Sequence, residues 1–323
     1  MMAPTSRSGG TKSSVSFLSI CSIFIAANLI ASSLNHIDDT DETYGYYEPL
    51  HYLLHGIGMQ TWEYSPSYAI RTYAFITPFW LIGSALKLVD PSKVNMFYSI
   101  RTTLGVFTAL SESYFVIAVY DYYGKSVGDL TLVFTLFSSG ILYCSTALLP
   151  SAVIMSLVMI ATASWMRGRY LMTIFVGCIS VLWSGWPFIG IIYVPFGLHM
   201  LFDTSINNRM DLDKKEVTKI ANSNDGFGEL RRGLRRVIAL ILQGALILFV
   251  VGGSAAAVDF FMYKRRYLSQ YIHSQSLMKV SAPHLLLINH RFSISFVNFS
   301  FCCEFEMQNI PYVEHSIVQC HRR

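Results

Sequence analysis

The chain has 323 residues, of which 53% are hydrophobic and 14% charged, and it carries a formal net charge of +4. Long apolar runs with so few charges exclude a soluble domain and describe a multi-pass membrane protein, so length does not count domains here. The small positive excess sits in a few loops, which argues against a nucleic-acid surface and leaves the basic residues to orient the chain in a lipid bilayer.

Residues 1–13, rich in Ser and Gly with Arg7 and Lys12, read as a cytosolic N-terminus. The apolar run 14–34 is too long for the core of a cleaved signal peptide and is expected to stay as a signal anchor. Further runs at 97–120, 130–148, 151–166, 170–185, 187–202 and 237–258 each approach the ~20 residues a spanning helix needs. With the first they predict an all-α membrane protein with about seven transmembrane helices. Residues 73–89 are apolar too, but Arg71, Pro78, Gly83 and Lys87 flank or interrupt them, which suits either an eighth span or a helix on the membrane surface. With seven spans, Arg7, Lys12, Lys125, Arg167, Arg169 and the 203–236 loop with its eight Lys/Arg all face the cytosol. With eight, that loop would lie outside, against the positive-inside tendency. Seven spans are therefore expected, with 35–95 forming an extended lumenal first loop.

That loop holds the densest chemistry in the chain. From His36 to Tyr52 it packs five carboxylates, two histidines and four tyrosines. Carboxylates accept hydrogen bonds from hydroxyls and aromatic faces cover sugar rings, so the pattern points to carbohydrate. Tyr46 to His55 reads as a short amphipathic helix stopped by Gly56 and Gly58, residues 61–66 as a turn, and Ser67 as the cap of a second helix starting near Tyr68. The Pro- and Gly-containing breaks at 148–151 and 184–187 fall on the same face, where plain inter-helix turns explain them most simply.

Transferring a sugar to a hydroxyl needs a base for the hydroxyl proton, and Asp41 and Glu42 are the candidates. Asp38, Asp39, Asp41 and Glu42 put four like charges within five residues, which favours a raised pKa in one of them. Taken alone, such a run is more often a solvated acidic loop. Arg71, His51 and His36 are the local partners for an anionic donor, with Arg71 equally suited to anchoring at the interface beside Tyr68 and Tyr73. Glu112, in the middle of a span, is best read as a structural hydrogen bond to a neighbouring helix, and Asp259 as a polar stop at the membrane edge or part of the site. Cys21, Cys144 and Cys178 lie in apolar runs, while Cys302, Cys303 and Cys320 lack ligand spacing even with His315 and His321 nearby, so neither disulfides nor a metal site is expected.

The stretch from Asp39 to Tyr73, with its Asp-x-Asp-Glu run, Tyr-Glu-Pro-x-His-Tyr core and Gln-Thr-Trp-Glu-Tyr-Ser-Pro turn, closely resembles the endoplasmic-reticulum mannosyltransferases that use dolichyl-phosphate mannose, a GT-C class within glycosyltransferase family 22. It looks most like the alpha-1,2-mannosyltransferase branch, with the enzymes of glycosylphosphatidylinositol assembly as relatives. Ser145-Thr-Ala-Leu-Leu-Pro-Ser151, Gly185-Trp-Pro-Phe188 and Val258-Asp-Phe-Phe-Met-Tyr263 also look like family segments, so the likeness covers roughly residues 15–266. The resemblance implies a GT-C-type polytopic helical bundle in the endoplasmic reticulum membrane that moves mannose from dolichyl-phosphate mannose to the dolichol-linked oligosaccharide by inverting single displacement, without a cofactor or bound metal. It gives Asp41 and Glu42 the catalytic role and makes Asp39, Tyr47, Glu48, His51, Trp62, Glu63 and Arg71 candidates for binding substrate. Family members continue with an Asn-x-x-x-Tyr-Asn motif where this chain has Tyr267-Leu-Ser-Gln-Tyr-Ile-His273, so 267–323, with its sequon at Asn298, is expected to be a divergent, poorly ordered tail. An inactive relative that only binds is the alternative that this departure supports.

Overall fold

The computed structural model describes residues 16–201 and 226–281, which contain helices, turns and loops and no strand. The predicted N-terminus, most of the basic loop and residues 282–323, with Asn298 and the last three cysteines, lie outside the described residues. Contacts divide the chain into two compact units, Met1–His273 and Ser274–Arg323. Of the second, residues 274–281 are described and are helical; the bundle and the site below lie in the first.

Helix α1 (Phe17–Leu34) leads to a short α2 (Thr40–Glu42), which passes through a π-helical stretch, Thr43–Tyr47, into α3 (Glu48–His55). Gly56 stops α3 at φ 76°, a left-handed conformation that suits glycine. After a 3-10 turn at Trp62–Tyr64 come α4 (Thr77–Val89), α5 (Lys93–Tyr123), α6 (Lys125–Leu136), α7 (Ser139–Cys144), α8 (Pro150–Met166), α9 (Tyr170–Leu182), α10 (190–201) and α11 (Gly226–Ser281). Phe17–Leu34, Lys93–Tyr123 and Val237–Lys264 are long and apolar enough to cross a membrane, and Thr77–Val89, Pro150–Met166, Tyr170–Leu182 and Pro187–Leu201 are shorter apolar helices. The all-α membrane architecture expected from the sequence is what is found.

Two expectations need correction. No helix begins near Tyr68; residues 65–76 stay irregular, Ala69 takes φ 46°, and α4 starts only at Thr77. The amides of Tyr73 and Ala74, which a helix would use, are taken by the carboxylate of Asp259. The run 130–148 is not one helix: the Ser138 hydroxyl accepts from the Ile141 amide at 3.4 Å, capping α7 and ending α6. α11 itself runs on to Ser281, with no Gly or Pro between Ser254 and Pro283.

α5 is the hub of the bundle. Against α1, Gly105 faces the backbone of Asn28, whose side chain donates to Glu112 Oε2 at 2.9 Å. Against α8, Thr108 and Ser156 hydroxyls meet at 3.0 Å and Tyr114 and Ser164 at 3.4 Å. Small and hydroxyl-bearing residues let helices approach closely where lipid supplies no hydrophobic drive, so these contacts fix the bundle's core. Glu112 thus makes the structural interhelical bond expected of it.

The bundle has two distinct ends. At one, Asn35 donates to the Leu142 carbonyl at 3.0 Å and to Thr146 at 3.1 Å, and the acidic segment packs above them. At the other, Arg167 pairs with Asp121 at 3.1 Å. Both ends of α4 stay at the acidic end: it starts beside Tyr73, and Lys87 donates to the Leu54 carbonyl at 2.7 Å. The acidic segment has a core of its own, in which Tyr46, Leu50, Tyr64, Tyr73, Ile76 and Leu148 are buried.

Candidate active site

Asp39 caps the short helix by accepting from the Asp41 amide at 2.8 Å. That cap fixes the backbone from which Asp41 and Glu42 diverge. Asp41 stays partly exposed and takes Arg71 Nη2 on Oδ1 at 2.6 Å, leaving Oδ2 without a hydrogen-bond partner among the described residues. Glu42 points inward, is 3% exposed, and accepts the Leu148 amide on Oε1 at 2.9 Å. Burial pushes the Glu42 carboxyl up from its ordinary value, against the pull of the Leu148 amide and the charge of Arg101.

Arg71 joins the parts of the loop. Its Nε donates to Glu63 Oε2 at 2.5 Å, its guanidinium lies 5.0 Å from the centre of the Tyr46 ring, and its carbonyl oxygen accepts from the Tyr263 hydroxyl at 2.5 Å. Burial opposes its charge, but the bonds to Asp41 and Glu63 and the field of Tyr46 outweigh that and hold it firmly protonated. Burial likewise pushes the Tyr46 hydroxyl up to about 12, with Arg71 pulling the other way. Gly45 is what lets Arg71 and Asp41 meet: a Cβ there would lie 2.3 Å from Arg71 Nη1 and 2.7 Å from Asp41 Oδ1.

The remaining predicted residues divide by location. The Trp62 ring is exposed and meets Tyr68 edge-on at 5.4 Å, an aromatic pair open to solvent at the turn that carries Glu63. Tyr47 packs on Phe97 at 5.1 Å, and burial of its hydroxyl pushes its pKa up, with nearby Arg101 pulling the other way. Glu48 and His51 fasten the 56–59 turn instead of joining the carboxylates: Glu48 Oε2 accepts from the Met59 amide at 3.0 Å, and His51 Nδ1 bonds the Ile57 carbonyl at 2.8 Å. Among the described residues no three His, Cys, Asp or Glu side chains are arranged to hold a metal ion.

The two turns read from sequence as plain connections both border this segment. Leu148 supplies its amide to Glu42, a Cβ on Gly185 would fall 2.6 Å from Thr72 Cγ2, and Trp186 reaches the Tyr46 hydroxyl.

The family of Alg9-like mannosyltransferases matches residues 19–272, well over half of the chain and every residue of the site just described. The chain belongs to that family. It is 41% identical over 179 residues to the alpha-1,2-mannosyltransferase Alg9 of Drosophila melanogaster, covering 55% of this chain and 29% of that protein. The Schizosaccharomyces pombe alpha-1,2-mannosyltransferase alg9 shares 38% over 196 residues, 59% of this chain and 33% of the relative. The human alpha-1,2-mannosyltransferase ALG9 shares 35% over 178 residues, 55% of this chain and 29% of the relative. The chain thus spans about a third of the length of the curated relatives it matches. No solved structure matches it significantly.

Within this family member, one residue went unnoticed in the sequence. Arg101 on α5 is 1% exposed and donates to the Asn35 carbonyl and to Thr146 Oγ1, both at 3.0 Å. A lone arginine in an apolar run gives a usable signal, since a charge inside a membrane helix needs a partner. Its charge lowers the pKa of the buried Glu42, which lies in another part of the sequence.

Proposed function

We propose that this chain is an alpha-1,2-mannosyltransferase of the endoplasmic reticulum membrane, moving mannose from dolichyl-phosphate mannose to the dolichol-linked oligosaccharide precursor of N-glycosylation. The observation that carries the reading is the state of Asp41: partly exposed, oriented by Arg71 through Oδ1, with Oδ2 available to an incoming hydroxyl. Family membership and the activity for which the relatives are named support the substrate class.

In this reading Asp41 Oδ2 takes the proton of the acceptor mannose hydroxyl as its oxygen attacks the anomeric carbon of the donor. The bond to the dolichyl phosphate breaks with its electron pair on the phosphate oxygen, which leaves as an anion without needing a proton. One displacement inverts the anomeric centre, so a second acid is not required. Glu42, buried and committed to the Leu148 amide, is the weaker candidate for base and shapes the segment from behind. Arg71, already matched by two carboxylates, orients Asp41 more readily than it grips a phosphate. The Trp62–Tyr68 pair offers an open aromatic face to a sugar ring.

The test uses the full chain in membranes from cells lacking this activity, supplied with radiolabelled dolichyl-phosphate mannose and a mannose-terminated lipid-linked oligosaccharide. The expected product is the acceptor lengthened by one alpha-1,2-linked mannose. Retention of the donor lipid without any lengthened product would overturn the enzyme reading and favour a binding role.

A further inference from the structure

Hydrogen bonds converge on one carboxylate far along the chain from the acidic segment. Asp259, on α11, accepts from the Thr72 hydroxyl at 3.0 Å on Oδ1 and 2.8 Å on Oδ2, from the Tyr73 amide at 2.7 Å and from the Ala74 amide at 3.1 Å. One helical turn further on, Tyr263 donates to the Arg71 carbonyl at 2.5 Å. Residues four apart share a helix face, so α11 presents both groups to the same four-residue stretch, 71–74. Gly185 also closes on Thr72, where a Cβ would sit 2.6 Å from Cγ2.

This stretch belongs to no helix, so its amides need partners from elsewhere, and a partly buried carboxylate needs donors. Each supplies what the other lacks. The stretch also carries the side chain that reaches Asp41 at 2.6 Å and Glu63 at 2.5 Å. The rigidity of 71–74 therefore sets where the Arg71 guanidinium sits, and that sets which Asp41 oxygen remains open.

We propose that Asp259 and Tyr263 are positioning residues: α11 fixes the backbone around Arg71 so that its guanidinium presents Asp41 to the acceptor hydroxyl. The inference rests on the reading of Asp41 as the base, and its test has one arm that does not depend on activity.

In the first arm, the purified full chain and its Asp259→Ala, Asp259→Asn and Tyr263→Phe variants are compared by amide hydrogen exchange in detergent. Asp259→Ala is expected to raise exchange at Tyr73 and Ala74 and also in the Asp41–Gly45 stretch, which Arg71 ties to this backbone through Asp41. Asp259→Asn, keeping an acceptor for both amides, is expected to restore most of the protection. Exchange raised at 72–74 but unchanged at 41–45, or unchanged at both, overturns the proposal. In the second arm, kcat and KM for mannosyl transfer are measured. Asp259→Ala and Tyr263→Phe are expected to lower kcat about tenfold or more with donor KM little changed, in keeping with the sensitivity of reacting groups to small misplacement. In an Arg71→Ala background the same substitutions are expected to cost nothing further, and additive losses overturn the proposal. A chain that transfers no mannose in any form would defeat the reading of Asp41, while the exchange arm would still decide whether α11 positions Arg71.

Discussion

Gly45 and Arg71 lie so close that a single added methyl at Gly45 would overlap Nη1 at 2.3 Å. Gly45→Ala is therefore expected to push Arg71 off Asp41 and to destabilise the fold by about 1–3 kcal/mol through overpacking. Its effect should be largely lost once Arg71 is already Ala. Thermal unfolding of the single and double variants checks this, and equal costs in both backgrounds would refute it.

Asp41→Asn keeps a side-chain oxygen for Arg71 but removes the proton acceptor. Mannosyl transfer is expected to fall by roughly 10²–10⁴-fold, the range for losing a general base, while melting temperature and membrane recovery stay near those of the parent. Lipid-linked glycans profiled in complemented cells give the readout. Rescue by the Asn variant equal to that of the parent would remove Asp41 from the mechanism.

Glu42 titrates in the opposite sense from an ion-paired surface carboxylate. Burial raises its folded value above the ordinary 4.5, so its contribution to stability is full below that pH and declines as pH rises through the raised value. Glu42→Gln keeps an acceptor for the Leu148 amide and cannot ionise. We expect it to melt no lower than the parent at neutral pH and to flatten the parent's loss of stability between acid and neutral pH. A lower melting temperature at neutral pH would mean that the charge beside Arg101 is needed.

Glu112, by contrast, is tied only to the α1–α5 contact through Asn28. Glu112→Gln preserves that acceptor and is expected to leave transfer unchanged. Glu112→Leu leaves the Asn28 amide only its bond to the Phe24 carbonyl and should cost about 1–3 kcal/mol of stability with kcat of the surviving protein intact. A fall in kcat for the Gln variant would give this carboxylate a functional part.

Local signals in the sequence carried much of this architecture. Apolar runs gave the positions of α1, α5, α8 and α9, and Gly56 marked the end of α3, because hydropathy and left-handed backbone are properties of short windows. The pairing of Arg71 with Asp41 spans 30 residues, yet both lie in one loop and so could be nominated together. What could not be read was anything that joins distant segments. Leu148 reaches Glu42 across 106 residues, and Asp259 reaches Tyr73 across 186. The second of these cancels the helix that Ser67 seemed to cap, since tertiary competition for backbone amides leaves no trace in local propensity.

The bonds between α11 and residues 71–74 also order events during synthesis. A ribosome releases the chain from its N-terminus, so Asp41, Glu63 and Arg71 enter the membrane system well before Asp259 and Tyr263 exist. Until that late helix emerges, the backbone beneath the arginine lacks its fasteners. A nascent polypeptide stalled short of residue 259 would carry every carboxylate of the early loop without the strut that aligns them.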